Sequence, residues 1–163
     1  MALYTIRNVS FSYPNCQNAA LCDLSLSINE GEFITLCGSS GSGKTTLLRC
    51  LKPSLAPNGA FSGTIEYEGE NLSSISERKG ASEIGFVMQS PEKQLVTDKV
   101  YHELAFGAEN LGVENGEIRA RVAETASFFG IEDLFHKKTT ELSGGEKQLV
   151  ALASVMVLRP KVL

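Results

Sequence analysis

The sequence predicts a mixed α/β fold, in which an alternating β region precedes a strand–loop–helix unit and a helical second half. Three observations carry that prediction. The first third of the 163-residue chain alternates apolar and polar residues with the two-residue period of strands. A short apolar run, Phe33-Ile34-Thr35-Leu36-Cys37, leads into a glycine-rich loop and then into a helix-forming stretch. From about Val100 the apolar residues recur at helical spacing.

Taken in order, Leu3, Thr5 and Arg7 alternate with Tyr4, Ile6 and Asn8, and Val9 to Tyr13 continue the pattern of one strand. A turn is expected at Pro14-Asn15. Leu21, Leu24, Leu26 and Ile28 suggest a second strand, closed by a turn at Asn29-Glu30-Gly31-Glu32. The run 33–37 fits a short buried strand. A helix over 45–51 follows the glycine-rich loop, and Pro53 should end it. Residues 59–72 read as a hairpin region, with Thr64-Ile65-Glu66-Tyr67 in one strand and Glu68-Gly69 near the turn. Residues 84–88 form another short apolar strand. Ile118, Val122, Ala126 and Phe129 fall on one helix face. The last long helix begins near Ser143, with Leu149, Leu152, Ala153, Met156 and Val157 as its buried stripe. Pro160 ends it, and Lys161-Val162-Leu163 reads as the start of a strand.

Composition narrows the function classes. A chain of this length fits one domain and can bury a core without metals or disulfides. Fifteen lysines and arginines against 19 acids give a net charge of −4, which supplies no electrostatic reason to expect nucleic-acid binding. Cys16, Cys22, Cys37 and Cys50 form no metal-type spacing and read as reduced cytosolic thiols. Cys37, inside an apolar run, is expected to behave as a small hydrophobe. Arg7 and Asn8 interrupt any early apolar stretch, and no run reaches the roughly 18 residues that span a bilayer. A role at a membrane is therefore expected to run through partners, from the cytosol.

Gly38-Ser39-Ser40-Gly41-Ser42-Gly43-Lys44-Thr45 matches G-x-x-x-x-G-K-[ST]. Glycines let the backbone fold back so that successive N–H groups point into one concavity. The helix that follows adds its positive N-terminal end. Lys44 would bring a point charge to the β- and γ-phosphates of a nucleotide, and Thr45 a hydroxyl to Mg²⁺. The motif alone does not separate a kinase, a GTPase and a transport ATPase.

A second glycine motif, Leu142-Ser143-Gly144-Gly145-Glu146-Lys147-Gln148, opens the last helix. Ser143 and Glu146 have the S-x-x-E spacing of a capping box, which would make this only a well-capped helix start. Gly144 and Gly145 are poor helix formers, however, and they bare N–H groups where an anion could approach closely. The residues by themselves leave both readings open.

Together the two motifs resemble those of ABC ATPases. LSGGEKQ looks like the family's signature and GSSGSGKT like its Walker A loop, in the family's order and about a hundred residues apart. The resemblance covers essentially the whole chain. It implies a P-loop NTPase fold of ABC type, with an N-terminal antiparallel β subdomain and an α-helical subdomain. In that organisation about 1–88 and 140–163 form the nucleotide-binding core, and about 89–139 the Q-loop and helical subdomain. Tyr13 sits at the position of an adenine-stacking aromatic; read alone it would be a half-buried strand tyrosine. Gln89 sits at the Q-loop glutamine; read alone it would be a surface loop amide. By resemblance, ATP would be held by Tyr13, residues 38–45, Thr46 and Gln89. Ser143, Gly144, Gly145 and Glu146 would act in trans on the nucleotide of a second subunit, and Thr45 and Gln89 would contact Mg²⁺.

The stretch Gln89-Ser90-Pro91-Glu92-Lys93-Gln94-Leu95, followed by Val100 to Gly107, is similar to ATPases of energy-coupling factor importers of vitamins or metal ions. That similarity implies a membrane scaffold docked near Pro91 to Val96 and Tyr101 to Phe106; the plain alternative is an amphipathic helix with Leu104, Ala105 and Phe106 in its own core. His102 is expected to be a surface or interface residue, since no partner ligand is spaced with it. In the family two such domains, identical or merely similar, meet head to tail with ATP between them, at the cytoplasmic face of the membrane. Departures from the pattern lie at the C-terminus. The Walker B aspartate and catalytic glutamate are not in the sequence, so the fold is expected to be incomplete there, and the chain alone inactive in hydrolysis and prone to aggregate. Competing readings are a non-transport ABC ATPase, a nucleotide-binding module without hydrolysis, and a small P-loop kinase, the last of which leaves LSGGEKQ unexplained.

Overall fold

The computed structural model describes residues 2–163. The chain divides into two compact units, one running to Gly80 and the other covering Ala81–Leu163.

The first unit is built on a four-stranded antiparallel sheet of order β2-β1-β3-β4, with β1 at Ala2–Ser12, β2 at Leu21–Asn29, β3 at Ala60–Tyr67 and β4 at Glu70–Asn71. The long first strand, the turn at 14–15 and the hairpin around Glu68-Gly69 all form as the sequence predicts. One detail differs. The alternation of β1 does not continue through Asn8: Tyr4 and Ile6 are buried before it, Val9 and Phe11 after it. Asn8 takes a left-handed conformation (φ 49°), and the register of β1 against both neighbours slips beside it. Asp23 on β2 (φ 46°) accepts a hydrogen bond from Asn8 Nδ2 at 2.8 Å. Gly63 on β3 (φ 89°) lies so close that a Cβ there would come within 2.5 Å of the Asn8 carbonyl oxygen. A bulge thus crosses three strands and resets which residues face the core.

That core joins Tyr4, Ile6, Val9, Phe11, Ile65 and Tyr67 of the sheet to Leu47 and Cys50 of the helix α1, Lys44–Cys50. Tyr4 donates its phenol to the carbonyl of Leu51 at 2.8 Å, pinning the C-terminal end of α1 to the sheet. Burial, which disfavours the phenolate, pushes the Tyr4 phenol up from its ordinary range.

Residues 33–37 correct the sequence reading. They form no strand, and Phe33 is 95% exposed. A strand needs a neighbour to take up its N–H and C=O groups, and no segment among the described residues pairs with this run. Cys37 is accordingly exposed, not a small buried hydrophobe.

The second unit is helical. α2 (Glu77–Glu83) runs across the division between the units, and α3 (Val100–Asn110), α4 (Asn115–Phe129) and α5 (Gly144–Met156) follow. α3, α4 and α5 pack on one another around Val100, Leu104, Ile118, Val122, Val150 and Val157, all essentially excluded from solvent. Glu114 caps α4 by accepting from the N–H groups of Gly116 and Glu117, and Gly130 (φ 64°) ends it. The predicted face of α4 is the buried one. The stripe of α5 matches the predicted one in part: Ala153 and Val157 are buried as expected and Leu152 and Met156 are half-buried, but Leu149 is exposed and Val150 and Ala151 are buried in addition. Small residues fill the inner face because α3 and α4 both lie against it. The predicted strand 84–88 contracts to one parallel bridge, Ile84 with Val162, where the Glu83 carbonyl accepts from Lys161 N–H and Gly85 N–H donates to Val162. Among the described residues, no helix is long and apolar enough to cross a membrane.

Candidate functional site

The first unit carries the glycine-rich loop between a segment without regular secondary structure and α1. Gly38, Gly41 and Gly43 all have positive φ, and Ser42 N–H closes a turn on Ser39 O at 3.3 Å. Gly43 is the N-cap of α1 at φ 88°, and any Cβ there would stand 2.3 Å from the carbonyl oxygen of Ala20. A side chain is therefore excluded twice over, by conformation and by contact. Lys44 folds into the loop and donates to Gly38 O (2.9 Å), Ser39 O (2.6 Å) and Ser42 Oγ (3.1 Å). The ammonium is thus held at the centre of the loop by neutral oxygens alone. A phosphate group is an anion, and its oxygens would compete with any of them on electrostatic grounds.

Thr45, next in sequence, is exposed, and no acidic residue occupies the first turn of α1. A cationic loop with an accessible hydroxyl fits a phosphate-bound Mg²⁺, for which the phosphates supply most of the charge. Among the described residues no group of three or more acidic, histidine or cysteine side chains forms a metal cage of its own. Thr46 is turned the other way. It is buried, and its Oγ1 lies 3.1 Å from the hydroxyl of Tyr13. Tyr13 is half-buried, with its ring edge against Phe11 at a centroid distance of 4.9 Å. The structure therefore brings Tyr13 to α1, a juxtaposition that spacing alone does not give.

The second unit carries the other motif. Ser143 caps α5, accepting from Glu146 N–H at 3.3 Å, while Glu146 Oε2 accepts from Ser143 N–H at 2.7 Å. The capping box is real. Glu146 Oε1 also accepts from Lys137 Nζ at 3.1 Å. The Ser143 hydroxyl, then the Ser143 N–H, then Lys137 pull the Glu146 carboxyl down to about 2. Gly144 and Gly145 have ordinary helical conformations, and a Cβ at either would meet nothing within 4 Å. Nothing inside the chain requires glycine at these two positions.

Gln89 is exposed on a bend. Two residues around it were not singled out by sequence reasoning. Gln94 is half-buried, accepting from Met88 N–H at 2.8 Å and donating to the carbonyl of Ala151, on α5, at 3.1 Å. Glu103, 4% exposed, accepts from the N–H groups of Val96 and Thr97 at 3.0 and 2.8 Å. A glutamate at an inward helical position was the available signal for Glu103; nothing in the pattern marks Gln94. Pro91 is buried, and Val96 and Phe106 are exposed. His102 lies on the surface, 2.9 Å from Asp98.

Known proteins are similar to this chain in sequence and in fold. A protein of Bacillus cereus named as an ABC transporter ATP-binding protein is 50% identical over 158 residues, which are 97% of this chain and 29% of the relative. The energy-coupling factor transporter ATP-binding protein EcfA of Syntrophomonas wolfei is 35% identical, across 99% of this chain and 58% of its own length. The solved structure of cbiO1 from Clostridium perfringens, part of the ABC transporter complex cbiONQ, superposes with a TM-score of 0.83 at 31% identity, covering 98% of this chain and 62% of that one. The chain thus spans less than a third of the Bacillus relative and about three-fifths of the other two. The family model described as ABC transporter matches residues 21–163, from β2 through the glycine-rich loop and the capped glycine pair to the last residue, so the chain belongs to the ABC transporter family and has the α/β fold of its ATPases.

Proposed function

We propose that this chain is the ATP-binding part of a transport ATPase of the importer type, acting with a transmembrane scaffold subunit at the cytoplasmic face of a membrane. The observation that carries the reading is the Lys44 ammonium, centred in a loop of positive-φ glycines and satisfied only by neutral oxygens. ATP would take its phosphates into that loop and its adenine to Tyr13. Thr45 and Gln89 would complete the shell of Mg²⁺, which when bound offsets phosphate charge. Ser143, Gly144, Gly145 and Glu146 would meet the nucleotide of a second ATPase subunit arranged head to tail. The open space above Gly144 and Gly145 supports that role, because two poor helix formers there serve no packing need of this chain. ATP binding would close such a dimer, and hydrolysis would release it. The Q-loop and helical subdomain, about 89–139, would pass that movement to the scaffold. Energy-coupling factor import of vitamins or metal ions is the favoured branch, on the likeness to EcfA and cbiO1.

The test is equilibrium binding of a fluorescent ATP analogue to the chain and to Lys44→Ala. Affinity should fall at least about a hundredfold in the variant, in keeping with the loss of a charge-assisted contact from an otherwise unchanged loop. Equal affinity in the two proteins would overturn the reading.

A further inference from the structure

The segment around Gln89 is fastened to the helix that begins with the glycine pair, and the fastening runs through one side chain. Gln94 accepts the backbone N–H of Met88, the residue immediately before Gln89, at 2.8 Å. Its Nε2 donates to the carbonyl of Ala151 at 3.1 Å. That carbonyl also accepts from Ser154 Oγ at 3.0 Å, so Ala151 is a junction on α5 and not a loose helix end. Met88 has no ladder partner, because residues 85–88 form no strand. The amide of Gln94 therefore supplies the bond that a sheet neighbour would otherwise make.

The rest of the loop is held as firmly. Glu103 binds the N–H groups of Val96 and Thr97, and Thr139 Oγ1 donates to the carbonyl of Thr97 at 2.7 Å. Gln94, however, bonds both to the backbone beside Gln89 and to α5. From Ala151 back to the N-cap Ser143 is about two turns of rigid helix, roughly 12 Å.

We infer that Gln94 is a positioning residue that clamps the Gln89 bend to α5, so that a displacement of Gln89 moves the Ser143 end of that helix with it. A side-chain amide suits the task because it offers one donor and one acceptor in a fixed plane. A carboxylate would keep the acceptor and lose the donor, and an aliphatic chain would lose both. The inference rests on the reading of Gln89 as a nucleotide-sensing residue.

Hydrogen–deuterium exchange on the full chain tests it, read at the Met88 amide and across residues 147–152, with ADP and with ATP, in the wild type, Gln94→Leu and Gln94→Glu. The Met88 amide should exchange about tenfold faster in Gln94→Leu and stay within about threefold of wild type in Gln94→Glu, as expected for loss and retention of one hydrogen bond. The wild type should show a difference between ATP and ADP across 147–152, which both variants lose while ATP affinity stays within about twofold. A merely structural glutamine would lower the melting temperature without erasing that difference. Wild-type exchange at Met88 in Gln94→Leu would overturn the clamp, and so would an ATP–ADP difference on α5 that persists in both variants. Failure of the underlying reading looks different: amides 38–45 of the wild type would then be blind to ATP, and the Met88 arm alone would decide the clamp.

Discussion

Glu146 shows how one residue can serve the fold while standing in a candidate binding motif. It accepts from Ser143 N–H and from Lys137, and these donors exist only in the folded chain. Its carboxyl is consequently held far below the ordinary glutamate range, at about 2. The sign of the pH effect follows from linkage. A carboxyl depressed on folding stabilises the native state fully above its unfolded value, near 4.5, and loses that contribution as the pH falls toward 2. Glu146→Gln keeps the capping geometry, because a glutamine can also reach back to the N-cap, yet it cannot titrate. The wild type should thus lose melting temperature relative to Glu146→Gln between pH 4.5 and pH 2, and run parallel to it above pH 5. Thermal melts across that range check this; parallel curves throughout would mean that the bonds to Ser143 and Lys137 do not persist in solution. The S-x-x-E spacing made this cap legible in the sequence. Lys137 was not legible, because its contact with Glu146 depends on how the 3₁₀ turn at Thr139–Glu141 folds the intervening chain back.

Elements were read well where a local period and a stop signal agreed. α4 has a clean apolar face, a capping glutamate and a C-terminal glycine, and it forms as predicted. β1 was read as one uninterrupted strand because its residues are strand formers throughout, but alternation cannot report a change of phase. The bulge at Asn8 depends on Asp23 and Gly63, which are 15 and 55 residues away in the chain, so no window of sequence contains it. Its cost is testable at Gly63. An added methyl would face the carbonyl oxygens of Asn8 and Arg7 at 2.5 and 2.6 Å, at a φ that L-residues rarely adopt. Gly63→Ala should destabilise the β-rich unit by about 1–3 kcal/mol, read by urea denaturation. A variant as stable as the wild type would show that the three-strand bulge is not the solution structure. The α5 stripe was legible only in part: Ala153 and Val157 are buried as expected, but the period does not fix the phase at the start of the helix, where Val150 faces inward and Leu149 is left outside.

At the scale of the whole molecule, the chain separates into a β-rich unit bearing the glycine-rich loop and a helical unit bearing the capped glycine pair. Each motif was legible because its chemistry is written in consecutive residues. The network around Gln94 was not, since it joins positions 57 residues apart through one side chain. The run 33–37 marks the same boundary of inference: apolar character tells that a segment is suited to burial, but not which segment covers it. Phe33, 95% exposed, stands beside Ile34 and Leu36, which are also exposed, on backbone without ladder partners among the described residues. Unpaired extended backbone with apolar side chains is a template for association between chains. Phe33→Lys should therefore reduce concentration-dependent light scattering while leaving the melting temperature nearly unchanged, because a ring so exposed adds little to the core of this chain. If scattering is unaltered while the melt weakens, Phe33 is covered in solution and the exposed arrangement is wrong; a fall in scattering with a constant melt places the association at this segment.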